Sequence, residues 1–260
     1  MPSKLLADDE LPAFQVIHEQ GASPFVLTCD HAGNRIPKRL GTLGLGPADL
    51  ERHIAWDIGA AGVTALLAER LDAVAILQNY SRLVIDCNRP PEAESSIATI
   101  SEHTEISGNL ALSETDRAMR IAEIFQPYHQ RISNELDLRR AANIPTAVIA
   151  VHSFTPVFKG SARSWQAGVL YNRDDRMAKP MLALLRDKGL VVGDNEPYAL
   201  GDATDYTIPV HGEKRGLPHV EIEIRQDLIA DAAGQKAWAD RLTPILHACW
   251  GEVQEARLAI

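Results

Sequence analysis

Short runs of β-branched and other apolar residues recur along this chain between longer segments of helical period, and that alternation constrains the fold more than any other feature. A chain patterned in this way folds into a sheet covered by helices on both faces. The runs lie at 25–29, 83–85, 147–151, 167–171 and 220–224, each short and apolar enough to be a buried strand. A helix is expected over about 49–71, because Ile54, Ile58, Ala61 and Ala65 recur at three- and four-residue steps. A second begins at Ser113, where Ser113 and Asp116 form an S-x-x-D cap. It carries Ala118, Ile121, Phe125, Tyr128, Ile132 and Leu136 on one stripe, with a kink expected at Pro127. Further helices are expected over about 175–188, stopped by Gly189, and over 236–258.

No internal repeat and no Gly/Ser- or Pro-rich linker divides the 260 residues, so residues 1–260 are read as a single α/β domain with a mixed, mostly parallel sheet. The polar stretches 90–109 and 195–218 are long for plain connections and read either as functional loops over the site or as inert surface. With 26 Lys+Arg against 35 Asp+Glu, the formal charge is −9. That balance argues against a general affinity for nucleic acid or an anionic membrane, while a small anionic substrate in a local basic pocket remains compatible with it. Three widely spaced cysteines, Cys29, Cys87 and Cys249, make no disulfide framework and no zinc knuckle. The N-terminal residues are acidic where a signal peptide would be apolar, and the apolar-leaning stretch 58–68 is far shorter than the roughly 20 residues that span a bilayer. A cytoplasmic protein is expected.

Reactive residues follow the expected strands: Asp30 and His31 after the first, Asp86, Asn88 and Arg89 after the second, His152 and Ser153 after the third. In open α/β sheets the loops beyond the carboxyl ends of the strands converge on one ligand site, so a single pocket is implied. Two histidines ending separate strands, His31 and His152, point to a shared metal or acid/base site, since imidazole is the commonest metal ligand and catalytic zinc takes three protein ligands plus water. Asp57, expected at the border of the buried helix stripe, is the candidate third ligand, with Asp30 and His53 as rivals. In the run His219 to Arg225, alternation puts Val220, Ile222 and Ile224 on one face and Glu221, Glu223 and Arg225 on the other. A glutamate beside an activated water can take its proton and pass it to a leaving amine, which is what amide hydrolysis needs. Arg82, Asn88, Arg89 and Arg225 are the candidate substrate anchors, because a guanidinium fork grips a carboxylate through two parallel hydrogen bonds.

Five ordered blocks then carry a resemblance: Cys29-Asp30-His31-Ala32-Gly33-Asn34-Arg35-Ile36-Pro37, His53 to Gly59, Ser81 to Pro90, His152-Ser153-Phe154-Thr155-Pro156 and Glu221 to Asp227. Over about 25–250 the chain resembles the N-formylglutamate amidohydrolase family. The resemblance implies a zinc-carboxypeptidase-like (phosphorylase/hydrolase-like) α/β fold and hydrolysis of N-formylglutamate to glutamate and formate. It also implies metal-binding His31 and His152, and a general base at Glu223 in a Glu-Ile-Arg similar to the Glu-Leu-Arg of those peptidases. Their ligating Glu, three residues after the first His, is replaced here by Asn34, which turns attention to Asp57. Asp-His-Ala-Gly also stands where the histidine-degradation enzymes read Pro-His-Ser-Gly, which implies a divergent branch, with N-formylglutamate, another N-acyl amino acid or a small amide as the expected substrate.

The expectation is therefore a zinc-dependent amidohydrolase, with another divalent metal as the alternative cofactor: His31, Asp57 and His152 hold the ion, and Glu223 is the base. Two rival readings are a small-ligand-binding protein on the same scaffold without catalysis, and an amide hydrolase using Cys29 as nucleophile.

Overall fold

The computed structural model describes residues 4–258. Seven strands form one sheet: β1 (Phe14–Ile17), β2 (Phe25–Cys29), β3 (Val74–Gln78), β4 (Ala147–Phe154), β5 (Ala167–Leu170), β6 (Val192–Asp194) and β7 (His219–Arg225). Their spatial order is β1-β3-β2-β4-β7-β5-β6. The central neighbours β3, β2, β4 and β7 are parallel. Strand β1 is antiparallel to β3, β5 is antiparallel to β7, and β6 is parallel to β5. The sheet is thus mixed and mostly parallel, as expected.

Because side chains alternate along a strand, each strand feeds two cores. Phe25, Leu27, Ile149, Val151, Val220, Ile222 and Ile224 face a layer of three helices, α1 (Ala60–Leu71), α3 (Ala178–Asp187) and α4 (Ala232–Leu258). Val26, Val74, Ile76 and Val148 face the opposite layer, built by α2. That long helix runs through Glu114–Arg120, a wider turn at Ile121–Phe125, and Gln126–Ala141. The Ser113 side chain caps it by accepting from the Asp116 N–H. The wider turn directly precedes Pro127, whose ring lacks an N–H to donate. Helix α2 buries Ile124, Phe125, Tyr128, Ile132 and Leu136, all but Ile124 on the expected stripe.

Two expectations fail, for physical reasons. Residues 83–85 form a turn and not a strand. Leu83, Val84 and Ile85 are apolar because they are buried under α2, while their carbonyls are served by side chains: Asn109 Nδ2 donates to Leu83 O and Arg120 Nη1 to Val84 O. The second sheet strand is instead Val74–Gln78. The helix expected over 49–71 is broken: one turn covers Pro47–Leu50, turns follow, and α1 begins at Ala60. Gly59 enforces the break, since its φ is 83° and a Cβ there would lie 2.1 Å from Ile229 O. Asp57 therefore sits in the connection before α1 and not on a helix face. No helix among the described residues is long and apolar enough to cross a membrane.

Candidate active site

The parallel strands deliver their side chains to one place. The chain leaves β2 at Cys29 and continues directly into Asp30 and His31, while His152 of β4 lies level with Glu223 of β7. The turn ahead of α1 contributes Asp57, whose backbone N–H donates to His31 O at 2.9 Å. His31 Nδ1 lies 3.3 Å and His152 Nδ1 2.9 Å from the same atom, Asp57 Oδ2. One ligand atom from each of the three residues lies within 4.8 Å of the others, and all three residues are buried. The expected trio is thus assembled from three distant stretches of chain.

The outer ring nitrogens face carboxylates as well: His31 Nε2 is 2.7 Å from Asp86 Oδ1, and His152 Nε2 is 3.1 Å from Asp30 Oδ2. A carboxylate only accepts, so it keeps a proton on Nε2 and leaves Nδ1 turned inward. At the centre, two such nitrogens converge on an oxygen that also only accepts, so positive charge, protons or a cation, must lie between them. Two imidazole nitrogens and one carboxylate oxygen, each outer nitrogen backed by a further carboxylate, form the donor set that a catalytic divalent ion takes, and the residues present fit such an ion.

The electrostatics agree. Burial would raise Asp57, but His31 and His152 pull it well below the usual carboxylate range. Burial likewise opposes ionisation of Asp30, yet the hydrogen bond from His152 brings it down to about 2. Asp30 also accepts from Tyr128 Oη at 2.7 Å and Thr207 Oγ1 at 2.8 Å. His152, despite burial that disfavours its charge, is held well above its ordinary value, with Glu221, Asp30 and Asp57 responsible. His31 is raised too, because Asp86 and Asp57 outweigh burial and Arg82.

A cavity of about 260 Å³ opens onto this centre. Glu221 and Glu223 line it from β7, and Oε2 of each has no hydrogen-bond partner among the described residues. Burial lifts both carboxyls to about 8. Both long polar stretches reach the cavity: Ser101 and Glu102 from one, Tyr198 and Asp205 from the other. The expected anchors divide. Arg82, Asn88 and Arg89 line the cavity. Arg82 grips Asp86 (Nε 3.1 Å, Nη2 2.6 Å) and approaches Asp57 at 3.4 Å. Arg89 pairs with Asp205 at 2.9 Å and donates to Thr204 O, and Asn88 Oδ1 accepts from the N–H groups of Tyr206 and Thr207. Arg225 does not line the cavity; strand alternation gave its face, but its guanidinium turns to Asp227 at 2.8 and 3.1 Å.

The rivals are placed elsewhere. Cys29 is buried in the core on the helix-covered face, away from the cavity lining, and burial pushes its thiol up to about 12. Such a thiol stays protonated and is a poor nucleophile. Asn34 donates to Leu50 O at 3.0 Å and Glu51 Oε1 at 3.3 Å and lies outside the trio. His53 forms part of the cavity wall, 3.4 Å from Glu102. Asp86 and Glu221 were visible in the sequence but without a role. The Arg82-x-x-x-Asp86 spacing and the shared face with Glu223 were the available signals.

A family model described as N-formylglutamate amidohydrolase matches residues 23–230. Among curated proteins, the N-formylglutamate deformylase of Pseudomonas aeruginosa is 27% identical over 138 residues, covering 49% of this chain and 49% of that protein. The match thus spans about half the length of the curated relative. A gene product of Agrobacterium tumefaciens of known crystal structure is 38% identical, with a TM-score of 0.94 over 96% of this chain and 100% of that one. The crystal structure of N-formylglutamate amidohydrolase from Ralstonia eutropha JMP134 is 16% identical, with a TM-score of 0.67 over 94% of this chain and 100% of that one, a likeness of fold.

Proposed function

The chain belongs to the N-formylglutamate amidohydrolase family, and from that premise we propose that it hydrolyses the amide bond of a small anionic N-acyl amino acid, N-formylglutamate foremost. The observation that carries this reading is the convergence of His31, Asp57 and His152 beside a glutamate with an unpartnered oxygen. Zinc, or another divalent ion held by His31, Asp57 and His152, would supply Lewis-acid polarisation and make water a nucleophile near neutral pH. Asp86 and Asp30 keep the two imidazoles oriented for that task. Glu223 Oε2 accepts a proton from the attacking water and returns it to the amine nitrogen as the C–N bond breaks, so that water is consumed and formate and free amino acid leave. Burial raises Glu223 to about 8, with Asp57 adding to the rise and His152, Arg82 and Arg163 opposing it, and added positive charge at the neighbouring trio would favour its ionised form. Asn88 and Arg89, with Arg82 behind them, present donors to a substrate carboxylate. Three free, buried cysteines agree with a reducing, cytoplasmic location.

The test is formate release from N-formylglutamate by purified protein of measured metal content. About one divalent ion per chain is expected, and Glu223→Gln should lower turnover by about 10³-fold while metal content stays intact. Folded protein that binds no divalent ion, or a Glu223→Gln variant of undiminished activity, overturns the mechanism.

A further inference from the structure

Charge pairing around the cavity leaves one question open: which group meets a second negative charge on the substrate. Arg82 is committed to Asp86 and Asp57, and Arg89 to Asp205. The wall contributes carboxylates from Asp57, Asp86, Asp205, Glu102, Glu221 and Glu223. Arg82 and Arg89, which serve the first carboxylate, already share their charge with wall carboxylates, so a dicarboxylate brings its second charge into an acidic space.

A third arginine, not itself among the lining residues, lies against rings of the cavity wall. Arg163 follows the small hairpin Val157–Phe158/Ser161–Ala162, its N–H donating to Pro156 O at 2.8 Å. Its guanidinium carbon lies 4.7 Å from the Phe158 ring centroid, 4.8 Å from Tyr198 and 5.8 Å from Phe154, three rings that all line the cavity. Nη1 donates to Tyr198 Oη at 2.9 Å. Among the described residues no carboxylate lies within 4.0 Å of it. Rings lying against a guanidinium hold it by cation–π attraction, and of its five in-plane N–H donors only one, on Nη1, is engaged, by Tyr198 Oη. Arg163 is near enough to the chemistry that its charge depresses both Glu223 and His53. Arg225 supports it from behind, with Nη1 3.5 Å from the carbonyls of Arg163 and Trp165. The arginine expected from sequence to touch substrate braces the segment that carries another.

We propose that Arg163, set against Phe154, Phe158 and Tyr198 with only Nη1 engaged, is the specificity residue that takes the second carboxylate of an N-acylated dicarboxylic amino acid. The assignment rests on the amidohydrolase reading for its reaction but not for its binding chemistry.

Two measurements separate the two. The first compares N-formylglutamate with N-formylglutamine, which has the same shape without the distal charge. In Arg163→Met, which keeps the apolar stem against the rings, the ratio of kcat/KM for the acid over the amide should fall about 30-fold, mainly through KM for the acid, and Arg163→Lys should restore part of it. An unchanged ratio overturns the assignment, as does an equal loss on both substrates. The second reads binding without turnover: by calorimetry, glutarate should bind at least about tenfold more weakly to Arg163→Met than to the unmodified protein, with butyrate unaffected. Equal glutarate affinity overturns the role of Arg163 whether or not formate is released. Intact discrimination between glutarate and butyrate in a protein that releases no formate counts against the proposed reaction alone.

Discussion

Two pairs of histidines are buried in this protein, and they are opposites. His31 and His152, ring centroids 5.0 Å apart, are surrounded by Asp30, Asp57 and Asp86 and are held above their ordinary pKa. His129 and His211 stack at 5.3 Å beside Phe125 and Tyr206, with His129 Nδ1 3.0 Å from His211 Nε2 and His129 Nε2 2.8 Å from Cys87 O. Burial drives His129 down to about 4 and His211 down to about 3. Both pairs lose water to the same degree, so desolvation cannot explain the difference. Counter-charge does: a carboxylate against each outer nitrogen, and a third between the inner ones, makes one pair a seat for positive charge. A carbonyl and aromatic rings make the other a neutral packing unit.

Removing the shared carboxylate should break the contrast most severely. Asp57→Asn leaves two inner nitrogens without their anionic partner, and the expected outcome is loss of tight divalent-ion binding together with about 10³-fold or more of the turnover. Metal analysis and formate release check it, and a variant that keeps both would make the first pair no more functional than the second. A smaller effect is expected for Asp86→Asn, which leaves the trio in place but weakens the hold on His31 Nε2. Metal affinity should fall about 10- to 100-fold, measured by competition with a chromophoric chelator.

The mildest effect concerns acid stability and comes from the other pair. His129 and His211 have folded pKa values below the unfolded value of 6.5, so between pH 6.5 and about 4 the unfolded chain binds more protons. Stability is therefore full above 6.5 and falls as the pH drops, by about 1.4 kcal/mol per unit for each histidine. Replacing His211 with Phe should flatten this part of the stability profile in urea titrations. An unchanged slope would mean that the second pair is not held neutral.

Much of the scaffold was legible along the chain. Strand β2 falls where 25–29 was expected, and β4 and β7 extend the runs at 147–151 and 220–224 by a few residues. A strand buried on both faces must be apolar almost throughout, and few other structures ask this of five to eight consecutive residues. The same reasoning misread 83–85, because a buried turn satisfied by Asn109 and Arg120 has the same composition. Asp57 meets the two histidines from a different element than expected: periodicity ignores the positive φ of Gly59 that ends the turn before α1.

The sequence by itself determined which residue types stand at the strand ends, His31, His152 and Glu223 among them, because local patterning decides where a strand stops and which face each side chain takes. Only the tertiary structure decided that Asp57 comes within 2.9 Å of a histidine 95 residues away, that Asp86 and Asp30 back the two rings, and that Arg163 meets no carboxylate among the described residues while Arg82 and Arg89 are paired. Charge pairing depends on distances of a few ångströms between segments far apart in the chain. Those distances are set by how two cores close on a twisted sheet, which no local pattern records.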